Sequence, residues 1–248
     1  MYFKTRALLT QVDLEFISQS LGGTEAERKA ILQVAGEPET VTELLHDPRL
    51  FQRTTTVPPV FLTLSPHLYF YLFVYRALEH KHIADDDLVD YVAGVCVEFR
   101  SAESFWQLSS PGDKAIYAVD LISLLGEVDK HQQYYLRRFI GNVSLFLTGF
   151  FPDFIVQRSR KQGAPPMKYY EAIGRSQYET AAGESPAYDA DAAPILTTLS
   201  ERFVEIRSAI NVYTDAYLSL NNQKRSIQII ERQAATLDEE SFRQSLEL

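Results

Sequence analysis

Residues 195–220 read ILTTLSERFVEIRSAINVYTDAYLSL. Leu196, Leu199, Phe203, Ile206, Ile210, Tyr213, Tyr217 and Leu220 recur at alternating intervals of three and four. A helix repeats every 3.6 residues, so this spacing lays one apolar seam along a single face for more than three heptads. Such a seam can zip two chains together. In a chain whose other segments are also helical, it is expected to serve as a long packing strut inside a bundle. Asn221-Asn222 is the expected stop.

Upstream the same periodicity recurs, and strand-like alternation is nearly absent. Leu8, Leu9, Val12, Phe16 and Ile17 predict a helix over 5–21 that ends at Gly22-Gly23. Thr24-Glu25-Ala26-Glu27 is a capping box, and Thr40 to Glu43 has the same form, opening a short helix that Pro48 closes. Ser65-Pro66 places a cap before a first-turn proline and predicts a helix to about His82. That helix carries Tyr69, Phe70, Tyr71, Phe73 and Tyr75 around most of its circumference, which predicts a central position. Further helices are expected over 86–100, from Ser110-Pro111-Gly112-Asp113 to about Leu125, over 134–148, and from Met167 to about Ala182. The fold class is therefore all-α, a multi-helix bundle of about eight to ten helices forming one domain over 1–248. Gly183 to Pro194 is expected as a loop or linker, and 223–248 as a peripheral or dimer-forming segment.

Composition narrows the function classes. Of 248 residues 46% are hydrophobic, which supplies a core, and the formal charge of −9 argues against nucleic acid as a partner. The one cysteine, Cys96, lies on the apolar side of its helix and reads as a small buried hydrophobe. Thr54 to Tyr75 contains no charged residue, but Pro58, Pro59 and Pro66 interrupt it, so a core helix is expected and no membrane span. With no signal-like start, a cytoplasmic location is the expectation.

Charge is unevenly placed. From Arg137 to Arg175 there are seven Lys/Arg (Arg137, Arg138, Arg158, Arg160, Lys161, Lys168 and Arg175) against only Asp153 and Glu171. Tyr169, Tyr170 and Tyr178 share the following helix with Arg175, and Gly174 sits in mid-helix, where it costs about 1 kcal/mol relative to alanine. A glycine there implies close approach of another helix or of a ligand. Arg137, Arg138, Arg158, Arg160, Lys161, Tyr169, Tyr170, Arg175 and Tyr178 are the candidate site for an anionic small molecule or acidic protein, with arginines as donors and tyrosines as walls. The competing reading is that these cations neutralise acidic helices of the same chain.

Two metal patterns give the alternative of a metal-dependent helical-bundle enzyme. Asp86-Asp87-Leu88-Val89-Asp90 spells DDxxD, which resembles the Mg²⁺-diphosphate motif of isoprenoid-synthase-like enzymes. In that family the aspartates line an enclosed cavity. Here Leu88, Val92, Val95 and Phe99 form the apolar face, which leaves Asp86, Asp87 and Asp90 on the opposite side, facing solvent, as a capped helix start. The family's second motif is matched only loosely by Asn222 to Glu231. Glu79 with His82, and Glu43 with His46, have the Glu-x-x-His spacing that is half of a ferritin-like di-iron site binding Fe²⁺. No cofactor is expected on the leading reading.

GNVSLFLTGFFPDFIVQRSRKQGAPPMKYYEAIGRSQYETAA, residues 141–182, is similar to segments of bacterial proteins without an assigned function. The resemblance implies an all-helical protein and no particular chemistry.

Overall fold

The computed structural model describes residues 4–57, 62–99, 118–162 and 164–218. Among them are twelve α-helices, more than the eight to ten expected, and no strand, so the all-α class stands as the periodicity predicts. The expected helix start at Ser110-Pro111, the loose motif at 222–231, Leu220 and the segment 223–248 lie outside the described residues. The chain clusters into two compact units, Phe3–Val97, and Glu98–Leu248 together with Met1–Tyr2.

The first unit opens with a 3-10 turn, Thr5–Leu8, followed by α1 (Gln11–Leu21). The predicted continuous helix breaks because Thr10 and Asp13 form a reciprocal capping box, and a cap ends whatever precedes it. α2 (Glu25–Val34) starts on the Thr24–Glu27 box. α3 (Pro38–Leu45) begins earlier than Thr40, with Pro38 in its first turn. Pro48 opens α4 (Pro48–Thr56), with Asp47 as the cap, instead of closing α3. α5 (Pro66–Glu79) has the Ser65 cap and buries Tyr71, Leu72, Phe73 and Val74 on successive faces. α4 and the 3-10 turn pack against α5, and α1 packs against α2 and α4.

α5 ends in a Schellman motif. Ile83 N–H reaches the Leu78 carbonyl and His82 N–H reaches Glu79, with His82 at φ 55°. The buried pair Leu78 and Ile83 completes it. α6 (Asp86–Phe99) then starts on Asp85, whose carboxylate accepts from the amides of Asp87 and Leu88. Leu88 to Val97 is buried around almost the whole helix, Cys96 included. Burial pushes the Cys96 thiol well up, so it stays protonated and inert.

The second unit contains α7 (Ala118–Leu124), α8 (Lys130–Phe150), α9 (Pro152–Gln162), α10 (Met167–Tyr188), α11 (Ala193–Glu201) and α12 (Phe203–Tyr213). Asp129 and Gln132 box the start of α8. α8 and α10 form the main pair, with α11 on α10 and α12 on α8. Two glycines let these helices touch. A Cβ on Gly141 would stand 2.6 Å from the Tyr178 ring, and one on Gly174 would stand 2.5 Å from the Phe203 ring. Gly174 therefore answers to a neighbouring helix.

Two expectations are corrected here. Residues 183–188, read as linker, complete α10 even though Pro186 removes a helical hydrogen bond. Burial of Tyr178, Ala181 and Ser185 on one face holds the helix together through that point. The 195–220 strut is not one helix. It bends at Arg202 (φ −107°, ψ 19°), and a π-turn, Thr214–Leu218, follows α12. From Leu196 to Ile210 the seam is internal: Leu196, Leu199, Phe203, Ile206 and Ile210 are all buried. Each such side chain contributes about 1.5–3 kcal/mol by leaving water.

Candidate functional site

The basic residues of the second unit divide by what they touch. Arg138, buried on α8, donates to Asp189 Oδ2 at 3.2 Å and to the Tyr134 hydroxyl at 3.4 Å, and stands 5.5 Å over the Tyr134 ring. Arg137, one residue earlier, donates to Gln177 Oε1 at 3.1 Å and lies 3.4 Å from Glu184 Oε1. Both partners sit on α10, so these two arginines bind the start of α8 to the distal half and end of α10. Arg175 donates Nε–H to the Ser200 carbonyl at 3.1 Å, a cation at the C-terminus of α11 where the helix dipole favours it. Glu171, the acid of this window on α10, is taken by Arg207 of α12 at 2.6 Å. Tyr178 is wholly buried against Gly141 and donates to Asn142 Oδ1 at 2.9 Å. Four of the nine candidate residues, Arg137, Arg138, Arg175 and Tyr178, thus hold helices together and do not converge on one pocket.

The other five gather at the corner between α9 and α10. Arg158 lies 5.4 Å over the Phe154 ring, Arg160 and Lys161 are exposed at the end of α9, and Lys168 is exposed at the start of α10. Tyr169 and Tyr170, half-buried, meet edge to face at 5.7 Å on the other side of the turn. Among the described residues Arg160, Lys161 and Lys168 have no carboxylate partner. The corner therefore combines uncompensated positive charge with aromatic surface.

In the first unit the acidic motif faces solvent only in part: Asp87 does so, as its helical projection predicts, and Asp90 does not. Asp90 is 4% exposed, Asp86 36% and Asp87 59%. From Leu88 onward α6 is buried on nearly every side, so the face opposite the Leu88 stripe is covered at Asp90, by the 3-10 turn. Arg6 of that turn donates its backbone N–H to Asp90 Oδ1 and its Nε–H to Asp90 Oδ2, both at 2.8 Å. Its other nitrogens reach Thr42 Oγ1 at 2.9 Å, Asp87 at 3.3 Å and Asp86 at 3.4 Å. Asp86 also meets His46 Nε2 at 2.9 Å and accepts from the Tyr71 hydroxyl at 3.3 Å. The cation at the DDxxD motif is thus the chain's own guanidinium. Burial pushes the Asp90 carboxyl above its ordinary value, and the hydrogen bonds from Arg6 offset only part of that.

Among the described residues no three His, Cys, Asp or Glu side chains form a group that could hold a metal ion. His82 lies past the end of α5 and Glu79 is paired with Arg76 at 2.5 Å, so the Glu79/His82 pair lacks the shared helical face that its spacing implies. His46, at the end of α3, is engaged with Asp86. Among the described residues no single helix is long and apolar enough to cross a membrane.

No protein-family model, curated protein or solved structure matches this chain.

Function therefore has to be argued from its own side chains. Sequence reasoning missed Arg6, Thr42, His46 and Tyr71 around the aspartates. Arg6 is an isolated basic residue more than 80 positions from Asp90, and nothing local marks the pairing. It also missed a cleft of about 810 Å³ whose walls include Arg6, Glu39, Thr42 and Glu43. The two glutamates are one turn apart on α3, a spacing readable only once that helix is known to line a cavity.

Proposed function

We propose that the chain is a binding protein whose α9–α10 corner meets an acidic protein partner or a small anion. One observation carries this reading. Glu184, Asp189 and Glu171 are taken by Arg137, Arg138 and Arg207, whereas Arg160, Lys161 and Lys168 stand exposed on either side of the α9–α10 turn, with Tyr169 and Tyr170 beside them. Exposed cations on a chain of net charge −9 make a local field opposite in sign to that of the molecule, and such a field selects anions.

The test is calorimetric titration of the full chain with tripolyphosphate and, separately, with a poly-glutamate peptide. Arg160→Ala/Lys161→Ala/Lys168→Ala should weaken binding of at least one probe by tenfold or more, about 1.4 kcal/mol. The melting temperature should be unchanged, since all three side chains are exposed. Equal affinity in the triple variant, or no binding of either probe by the native chain, would remove the corner as the site.

A further inference from the structure

The cleft of the first unit asks for a ligand of the opposite charge. Its volume, about 810 Å³, is in the range of small-molecule sites. The lining is apolar along Leu9, Leu14 and Val41, yet it carries five carboxylates against two cations, Lys4 and Arg6. Arg6 shows how a guanidinium sits there, held between Thr42 on α3 and the aspartates of α6. That one charge answers the motif only. Glu39 and Glu43 are exposed on the α3 wall and have no hydrogen-bond or ion-pair partner among the described residues.

A low-dielectric apolar wall beside unspent carboxylates strengthens their attraction for a cation that can also cover that wall. A compact metal ion does not meet this description, because the carboxylates are not grouped closely enough to coordinate one. We propose that the cleft binds an aliphatic organic amine, whose ammonium groups pair with Glu39 and Glu43 while its methylene chain lies on Leu9, Leu14 and Val41. Nothing in this depends on the α9–α10 corner, which lies in the other unit and selects the opposite charge.

Spermidine is a suitable probe. Titrated into the native chain at low salt it should bind with one-site heats, and Glu39→Gln/Glu43→Gln should weaken that binding at least tenfold. Both glutamates are exposed and have no partner among the described residues, so the double variant should keep its circular dichroism and melting temperature. Magnesium chloride at the same ionic strength should displace little spermidine. Three results would each overturn the proposal: no spermidine binding at millimolar concentration, unchanged affinity in the double variant, or displacement by Mg²⁺ as effective as by a second amine. The last would mean diffuse screening and no fitted site.

Discussion

His82 holds a backbone conformation that a side chain disfavours. At φ 55° it occupies the left-handed position of the Schellman motif, usually filled by glycine, and a Cβ there costs about 1 kcal/mol. Among the described residues the exposed imidazole has no partner to offset that cost. His82→Gly should therefore raise stability by about 0.5–1 kcal/mol in urea denaturation; a loss would mean the imidazole makes a contact that the fold depends on. Asp90 presents a different balance. Its carboxyl lies above the ordinary 3.8 because burial outweighs the help of Arg6, so the folded chain holds that proton more tightly than the unfolded one. The stability tied to this proton is complete below pH 3.8 and is lost as pH rises through the raised folded value. Subtracting the stability–pH curve of Asp90→Asn from that of the native chain isolates this contribution, which should fall with rising pH. A contribution that grows instead would show that pairing with Arg6 dominates.

Helix starts were the most legible elements, because a cap is a local event. Thr24 with Glu27 and Ser65 with Pro66 could be read from four residues or fewer, and both stand as predicted. Interruptions were harder, since they depend on what lies across the gap. Pro186 reads as a stop, yet α10 continues through it because Ser185 and Ala181 are buried on α8's side of the helix, with the Ser185 hydroxyl 3.2 Å from that of Tyr134. The bend at Arg202 is invisible to heptad spacing, which registers which residues are apolar and not whether the axis is straight. Glycines fall between these cases: Gly174 announces a close approach without saying to what. Two alanine substitutions in α10 separate propensity from packing. Gly183→Ala adds a methyl group in open space and should stabilise by about 0.5–1 kcal/mol, the ordinary helix-propensity gain. Gly174→Ala makes the same gain but drives the methyl into the Phe203 ring and against Ser144, and should destabilise by about 1–2 kcal/mol net. Equal effects at the two positions would mean that α10 and α12 can part without cost.

At the scale of the whole molecule, charge is the property that links sequence to function. The all-α class followed from periodicity, but only half of the basic window was readable as a surface. Arg137 and Arg138 look no different in sequence from Arg160 and Lys161. What separates them is Glu184 and Asp189, supplied by a helix about fifty residues downstream. The acidic motif illustrates the same limit, since its counter-charge arrives from the opposite end of the first unit. A chain with a strong net negative charge and a confined positive corner should show anion binding that weakens steeply with salt. In the tripolyphosphate titration, raising ionic strength from about 0.05 to 0.2 M shortens the screening length to below 10 Å and should reduce affinity several-fold.

The buried seam has a last consequence for assembly. Leu196, Leu199, Phe203, Ile206 and Ile210 already lie against α8 and α10 of their own chain, with at most 1% of each residue open to solvent. A second copy approaching along this stripe finds no vacant partner, and could zip onto it only by first prising α11 and α12 away. From Leu196 to Ile210 the most dimer-like signature in the sequence is therefore closed to self-association without exchange of helices.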